Sequence, residues 1–491
     1  MTAKKTPTAK KPRADRKAGA DEKPPTSLGH FEHSQRADIG IADRVARPLK
    51  IVFLGAGSGF YETLLIDALN MPGADRGETA IVDIEPERLE LAEQLGRKIV
   101  ADLGKDWTVT ASRDRRAVLA GADYVINCIE VSGVQTVRFD NDIPLKYGVD
   151  QCIGDTIGPG GLMKALRTVP VFLDVLKDVE ALCPDAWVLN YTNPMSIMCL
   201  AAARASRAKV VGLCHGVQGT SHALARYGGV PYAELEWTCG GVNHLAWFTV
   251  LRHGGRDLYP ALKEKARTDR ALWEKDPVRF DVLEHFGYFI TEGSGHDSEY
   301  LPYYRKRKDL RDRYCLGGYR GESGVYAREW PKWRKAADER RRRIIAGEGV
   351  GGETPWAKPL NYRRSWEYAS WLIQALETNE PFVAHCTVPN RGGLIENLPL
   401  DGVVEVACVA NRSGLHPTRF GPLPPQCAAL CDSNMRMFEC AATACVERSR
   451  AAAEHALMLD PLTAAVCSPE EIRRMFAELY EAERAFVPEL T

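Results

Sequence analysis

A doubly wound α/β fold followed by a mixed α+β region is what this 491-residue sequence predicts, and three observations carry the prediction. Short apolar runs alternate with helix-length segments from Leu49 to Cys214. A glycine-rich turn, GAGSG at 55–59, joins the first run to the first helical segment. Polar and metal-capable residues then close one run after another at the same end.

Residues 1–47 stand apart, rich in Lys, Ala and Pro without apolar periodicity, and read as a disordered, solvated basic tail. Asp15, Asp21 and Glu22 set aside a transit peptide. LKIVFL (49–54) is a strand, and a helix follows from about Phe60 to Asn70. TAIVDI (79–84) is the second strand, with a charged helix from Glu85 to Asp102. YVINCI (124–129), AWVLNY (186–191) and KVVGLC (209–214) are further strands with helical segments between them. Such βαβα order predicts a parallel sheet with helices on both faces. Two domains follow, 48–214 binding a nucleotide and 215–491 mixed α+β, mainly helical from Pro425. The charge run RKAADERRRRIIAGEG (334–349) reads as a solvated helix face.

A net charge of -1 gives no field toward nucleic acid or anionic lipid, and no apolar stretch is long enough to span a membrane. The fourteen cysteines are scattered singly through apolar segments, as at Cys128, Cys183, Cys199 and Cys408, and read as small buried hydrophobes. Cys427, Cys431, Cys440 and Cys445 lack paired zinc-ligand spacing, so no zinc site is assigned to them. With no signal peptide, the expected compartment is reducing and cytoplasmic.

At the glycine turn, Gly55 permits the tight bend and Gly57 lets the backbone approach a pyrophosphate seated on the helix N-terminus. The third glycine of a Rossmann-type fingerprint is replaced by Phe60. Asp83 lies 26 residues past Gly57, near the ~20 expected of a carboxylate that binds a ribose 2′-hydroxyl, which favours NAD over NADP. The expected dinucleotide contacts are Gly55, Gly57, Ser58 and Asp83, with Asn127 and Asn190 at later strand ends.

Ligands of open α/β sheets bind beyond the carboxyl ends of the strands. Those ends supply Asp83, Asn127-Cys128, Asn190 to Asn193, and Cys214-His215. In GGVNHLAWF (240–248), the polar pair Asn243-His244 interrupts an apolar stretch and needs a reason. Cys214 and His244 can give a thiolate and an imidazole to one divalent ion, leaving positions open for water and substrate as in a catalytic site. Their softness alone favours Zn²⁺. A dinucleotide beside such an ion points to oxidation of a hydroxyl, either as the net reaction of a dehydrogenase or as one step of another reaction.

From Lys50 to about Pro461 the sequence resembles glycoside hydrolase family 4, whose NAD-dependent members depart from the two-carboxylate scheme of most glycosidases. The resemblance rests on GAGS (55–58), DTIGPGGLMKALRTVP (155–170), LNYTNPM (189–195), GLCHGVQGT (212–220), GVNHLAWF (241–248), and GLIENLP with VVEVACV (393–409). It implies a lactate/malate-dehydrogenase-like architecture, NAD⁺ and Mn²⁺ as cofactors, and a homodimer or homotetramer. In that family Cys-His-Gly marks enzymes for unphosphorylated α-glycosides, and CHGVQGT is most similar to the α-galactosidases, with α-glucosidase and α-glucuronidase as alternatives. The implied route oxidises C3 of the sugar, removes the C2 proton, eliminates the aglycone, adds water and reduces C3 again. Carried over residue by residue, Cys214 and His244 match the metal ligands and His215 the acid that assists the leaving group. Asn193, Asp155 and Arg138 match positions near the sugar. For the C2 base, GYFITEGSGHDSEY (287–300) offers Glu292, Asp297 and Tyr300, of which Glu292 and Tyr300 are preferred. The rival classes are a sugar or 2-hydroxy-acid dehydrogenase that releases NADH, and an inactive NAD-binding regulator.

Overall fold

A computed structural model describes residues 36–352 and 358–491. Six parallel strands form its first half: β1 (Leu49–Leu54), β2 (Arg76–Val82), β3 (Asp106–Ser112), β4 (Tyr124–Asn127), β5 (Trp187–Asn190) and β6 (Lys209–Leu213). Their order across the sheet is 3-2-1-4-5-6, the doubly wound order of two mononucleotide-binding halves. β4 is buried throughout and β1 and β5 nearly so, which is why each reads as an unbroken apolar run rather than an alternation.

Beyond β6 the same sheet turns antiparallel. The later strands are β7 (Leu235–Val242), β8 (Leu245–His253), β9 (Arg256–Asp257), β10 (Phe289–Ile290), β11 (Phe382–Pro389), β12 (Val403–Asn411) and β13 (Gly414–Pro417). Among the described residues the order continues β6-β11-β12-β7-β8-β10, with β13 on β12 and β9 on β8. The end of β6 thus lies between the parallel half and β11, where Leu213 pairs with Cys386.

The helix Gly158–Leu182 opens on Gly158, Gly160 and Gly161. A Cβ at Gly160 would lie 2.1 Å from the Gly154 carbonyl oxygen, so only glycine lets this helix close against the loop that carries Asp155. The C-terminal helices run Pro425–Glu447, Arg450–Leu459, Pro461–Val466 and Pro469–Ala482, and the first packs on the helices Gly158–Leu182 and Met195–Ala205. Cys128, Cys183, Cys199 and Cys408 are buried, as are Cys427, Cys431 and Cys445. No helix among the described residues is long and apolar enough to cross a membrane.

Three expectations are revised. β3 was not expected; it is an edge strand, only Trp107 and Val109 are buried in it, and its sequence shows too little apolar pattern. Of the tail expected over 1–47, residues 1–35 lie outside the described residues, while Val45 is 3% exposed and its N–H donates to Pro72 O at 2.8 Å. The charge run does form a helix, Val325–Ile345, but Arg340 and Arg341 are buried rather than solvated.

Candidate active site

β6 delivers Cys214 and His215 to the rim, and the helix Gly216–Gly228 starts at once behind them. His244 comes from the two-residue turn between β7 and β8 with φ at +66°, and Glu292 follows β10 with φ at +73°. Left-handed backbone costs a residue with a Cβ on the order of 1 kcal/mol, and it collects where function dictates conformation. Ser132, Asn379 and Arg448 also have left-handed backbone among the described residues, but His244 and Glu292 share one cluster. Cys214 Sγ donates to Glu292 Oε1 at 3.2 Å, and His244 Nε2 lies 3.4 Å from the same oxygen. The three ligand atoms lie within 4.8 Å of one another. Gly216 makes room: its Cβ would stand 2.6 Å from Glu292 Oε1.

These residues fit a divalent cation. Burial holds the His244 imidazole neutral, down to about 4, so its Nε2 keeps a lone pair to give. Burial opposes the charge of Glu292, but the imidazoles of His244, His296 and His215 outweigh it and keep the carboxylate ionised down to about 2. Burial, and then Glu292, push the Cys214 thiol well above its ordinary range, so without a cation the proton stays on sulfur. A cation would take that proton's place, and the hard carboxylate oxygen makes the set less zinc-like than the thiolate and imidazole alone. Glu292, weighed in the sequence only as a base, is the third member of the donor set.

His215 is half exposed, its Nδ1 3.2 Å from Glu367 Oε1. The hydrogen bond to Glu367 raises it to about 9 against the effect of burial, so it carries a proton to give at neutral pH. His296, a further member of the site that no sequence pattern singles out, tilts against His244 with ring centroids 4.5 Å apart. It links Glu292 Oε2, 3.8 Å away, to Asp155 Oδ1, 3.7 Å away. Asp155 Oδ2 in turn faces Asn193 Nδ2 at 3.4 Å and Lys164 Nζ at 3.6 Å, and Lys164 pairs with Glu130 at 2.7 Å. Asp155 and Asn193 are therefore brought together beside the donor set.

Tyr300 packs behind His244 with ring centroids 6.0 Å apart, and its buried hydroxyl has no hydrogen-bond partner among the described residues. Asp297 is fully buried in the helix Ser294–Tyr300, and burial holds it far above the usual carboxylate range. Arg138 is not brought to the cluster: its side chain is 75% exposed and pairs with Asp142 at 3.5 Å on the neighbouring helix Phe139–Lys146.

A cleft of about 1190 Å³ runs from this rim to the glycine turn, lined at one end by Asp155, Asn193 and Glu367 and at the other by Gly57, Ser58 and Asp83. Gly55 has φ at +78°, and a Cβ there would lie 2.4 Å from the Cys128 carbonyl oxygen, so the turn admits only glycine. The helix Tyr61–Leu69 opens with no side-chain cap, leaving its first N–H groups to an anion. Asp83 accepts the Gly57 N–H at 2.8 Å, which ties the acid expected at the ribose to the turn expected at the pyrophosphate. Asn127 and Asn190 are buried at the ends of β4 and β5 and bond each other at 2.8 Å, supporting the floor of the cleft.

A family model described as Family 4 glycosyl hydrolase matches residues 50–230, and a second, the Family 4 glycosyl hydrolase C-terminal domain, matches residues 239–463. An alpha-galactosidase of Bacillus subtilis (strain 168) is 37% identical over 454 residues, covering 90% of this chain and 99% of that protein. An alpha-galactosidase of Rhizobium meliloti (strain 1021) is 37% identical over 445 residues, covering 90% of this chain and 89% of its own. Among solved structures, a 6-phospho-alpha-glucosidase from gut microorganisms in complex with NAD and Mn²⁺ shares the fold, with TM-score 0.75 at 21% identity over 91% of this chain and 100% of that one.

Proposed function

The chain belongs to family 4 of the glycosyl hydrolases, and we propose that within it the protein is an α-galactosidase that works through a redox-neutral oxidation and elimination. The observation that carries this reading is one cleft with a dinucleotide-type turn at one end and a thiol, imidazole and carboxylate donor set beside the other. Cys214, His244 and Glu292 would hold Mn²⁺, and the glycine turn with Asp83 would hold NAD⁺. When bound, NAD⁺ would supply a hydride acceptor for the sugar, and Mn²⁺ would supply positive charge where negative charge develops on sugar oxygens.

The chain's own groups do the rest. Asp155 and Asn193 hydrogen-bond the sugar hydroxyls and fix which carbon faces the cofactor. Once C3 is a ketone, the C2 proton is acidic, and we assign its removal to Tyr300 as the phenolate: burial alone holds the phenol protonated, and a cation on the neighbouring donor set would favour loss of its proton. A buried hydroxyl with no partner costs about 1–3 kcal/mol, and use as the base gives Tyr300 a reason to bear that penalty. Glu292 then serves with the ligands. His215, charged at neutral pH, donates its proton to the glycosidic oxygen, and Glu367 orients the ring.

Electrostatics supports a neutral sugar. Lys164 faces Glu130 and Asp155, His296 faces Asp155 and Glu292, and His215 faces Glu367, so each of these cations is already matched by a carboxylate. A uronate or a 6-phosphate would meet Glu130, Asp155 and Glu367 with no spare charge among these groups, which favours galactose over its acidic or phosphorylated analogues. The test is release of nitrophenol from 4-nitrophenyl α-galactoside, α-glucoside and α-glucuronide under reducing conditions, with and without NAD⁺ and Mn²⁺. Cleavage of the galactoside that requires both, with no net NADH, is the expected result. Accumulation of NADH without cleavage would assign the scaffold to a dehydrogenase.

A further inference from the structure

We propose that the helix Val325–Ile345, from the second half of the chain, is the far wall of the dinucleotide site, and that Arg341 is the residue that latches it to the glycine turn. This rests on the reading above that NAD⁺ occupies the cleft. Trp330, Trp333, Arg334 and Ala337 of this helix line the same cleft as Gly57 and Asp83. The indoles are held in place: Trp330 stacks on Tyr326 at 5.2 Å between centroids, and Trp333 on Tyr319 at 5.4 Å. An aromatic wall opposite a phosphate-binding turn suits a flat base or nicotinamide ring.

Arg341 joins the two sides. It is 1% exposed, its Nη1 donates to the Gly57 carbonyl at 2.9 Å, and its Nη2 donates to the Ser58 carbonyl. Its Nε lies 3.4 Å from Glu62, in the first turn of the helix that would receive the pyrophosphate. Peptide groups are planar and trans, so fixing the Ser58 carbonyl also fixes the following N–H, that of Gly59, in the opposite direction. Gly59 lines the cleft. Arg88 donates to the same Gly57 carbonyl and pairs with Asp338 of the wall helix at 3.6 Å, a second tie between the two sides. The wall and the turn are one unit, and the dinucleotide should sense both.

Hydrogen exchange of the full chain, with and without NAD⁺ and with metal left out, reads this directly. NAD⁺ should slow exchange in 55–60 and in 325–345 together. Arg341→Met should weaken NAD⁺ binding by about 10- to 100-fold in a calorimetric titration, the loss of a charge-assisted donor pair. Energy transfer from tryptophan to bound NADH should drop in Trp333→Phe, which a merely structural arginine would not require. Protection confined to 55–60 in the wild-type chain would overturn the proposal even if the Arg341 variant failed to fold, as would unchanged affinity in a folded Arg341→Met. Protection of neither segment would overturn the NAD⁺ reading itself, and the wall with it.

Discussion

Replacing Gly216 by Ala separates metal binding from folding. Gly216 opens the helix Gly216–Gly228 with ordinary backbone angles, so alanine is tolerated there and adds up to about 1 kcal/mol of helix propensity. Its new methyl, however, would stand 2.6 Å from Glu292 Oε1, where ordinary contact begins at 3.4 Å. The obstacle is the end of a flexible side chain, so the clash is relieved by Glu292 moving back by roughly 0.8 Å rather than by the helix moving. That retreat takes the carboxylate out of register with Cys214 and His244. Loss of one well-placed donor should weaken Mn²⁺ binding by about 10- to 100-fold, about 1.4–2.8 kcal/mol. The assay is a titration of the apoprotein followed by the electron paramagnetic resonance signal of free Mn²⁺, alongside thermal unfolding. The expected pair is a weaker Kd with an equal or higher Tm without metal. An unchanged Kd would show that Glu292 is not a ligand and would remove the third donor from the site.

Other consequences follow from the same cluster and from the core. Because burial keeps the proton on Cys214 in the absence of metal, binding must release it, and Mn²⁺ affinity should rise about tenfold per pH unit through the neutral range, checked by calorimetry in buffers of different ionisation enthalpy. Tyr300→Phe should abolish exchange of the sugar C2 proton while leaving Mn²⁺ affinity intact and stability equal or higher, since it removes an unpartnered buried hydroxyl. Glu292→Gln should do the reverse for metal affinity, and equal losses in both assays would undo the division of roles. Asp460, fully buried, is raised by burial to about 6 in the folded state. The unfolded chain therefore releases this proton first, and stability falls by about 3 kcal/mol as pH rises from about 4 to 6. Asp460→Asn, which keeps the acceptor for the Thr463 N–H, should flatten that slope in urea unfolding at pH 4 and pH 7.

What could be read from sequence was what local pattern encodes. β1, β4 and β5 are short runs buried on both faces and β6 is buried over its last three residues, so all four read as apolar runs, and Cys214, His215 and His244 are polar residues where a strand or apolar stretch is expected to stay apolar. The rest depended on neighbours distant in the chain. Glu292 reads as an ordinary loop acid until β10 brings it against Cys214, and its left-handed backbone leaves no mark in the residue type. His296 lies four residues past Glu292, with nothing in the sequence to say that it faces both Asp155 and Glu292. Arg340 and Arg341 look like two more charges in a basic run, and only the fold supplies Glu62 and the Gly57 and Ser58 carbonyls as partners. Arg138 is the converse case, a basic residue whose type says nothing of its position, and the fold leaves it at the surface beside Asp142.

The claim that cleavage proceeds through oxidation at C3 and loss of the C2 proton is tested most directly by hydrolysing an α-galactoside in deuterium oxide with NAD⁺ and Mn²⁺ present. The released galactose should carry deuterium at C2, delivered from solvent when the double bond is rehydrated. Galactose with only hydrogen at C2, formed at the same rate with NAD⁺ removed, would mean direct hydrolysis and contradict the account.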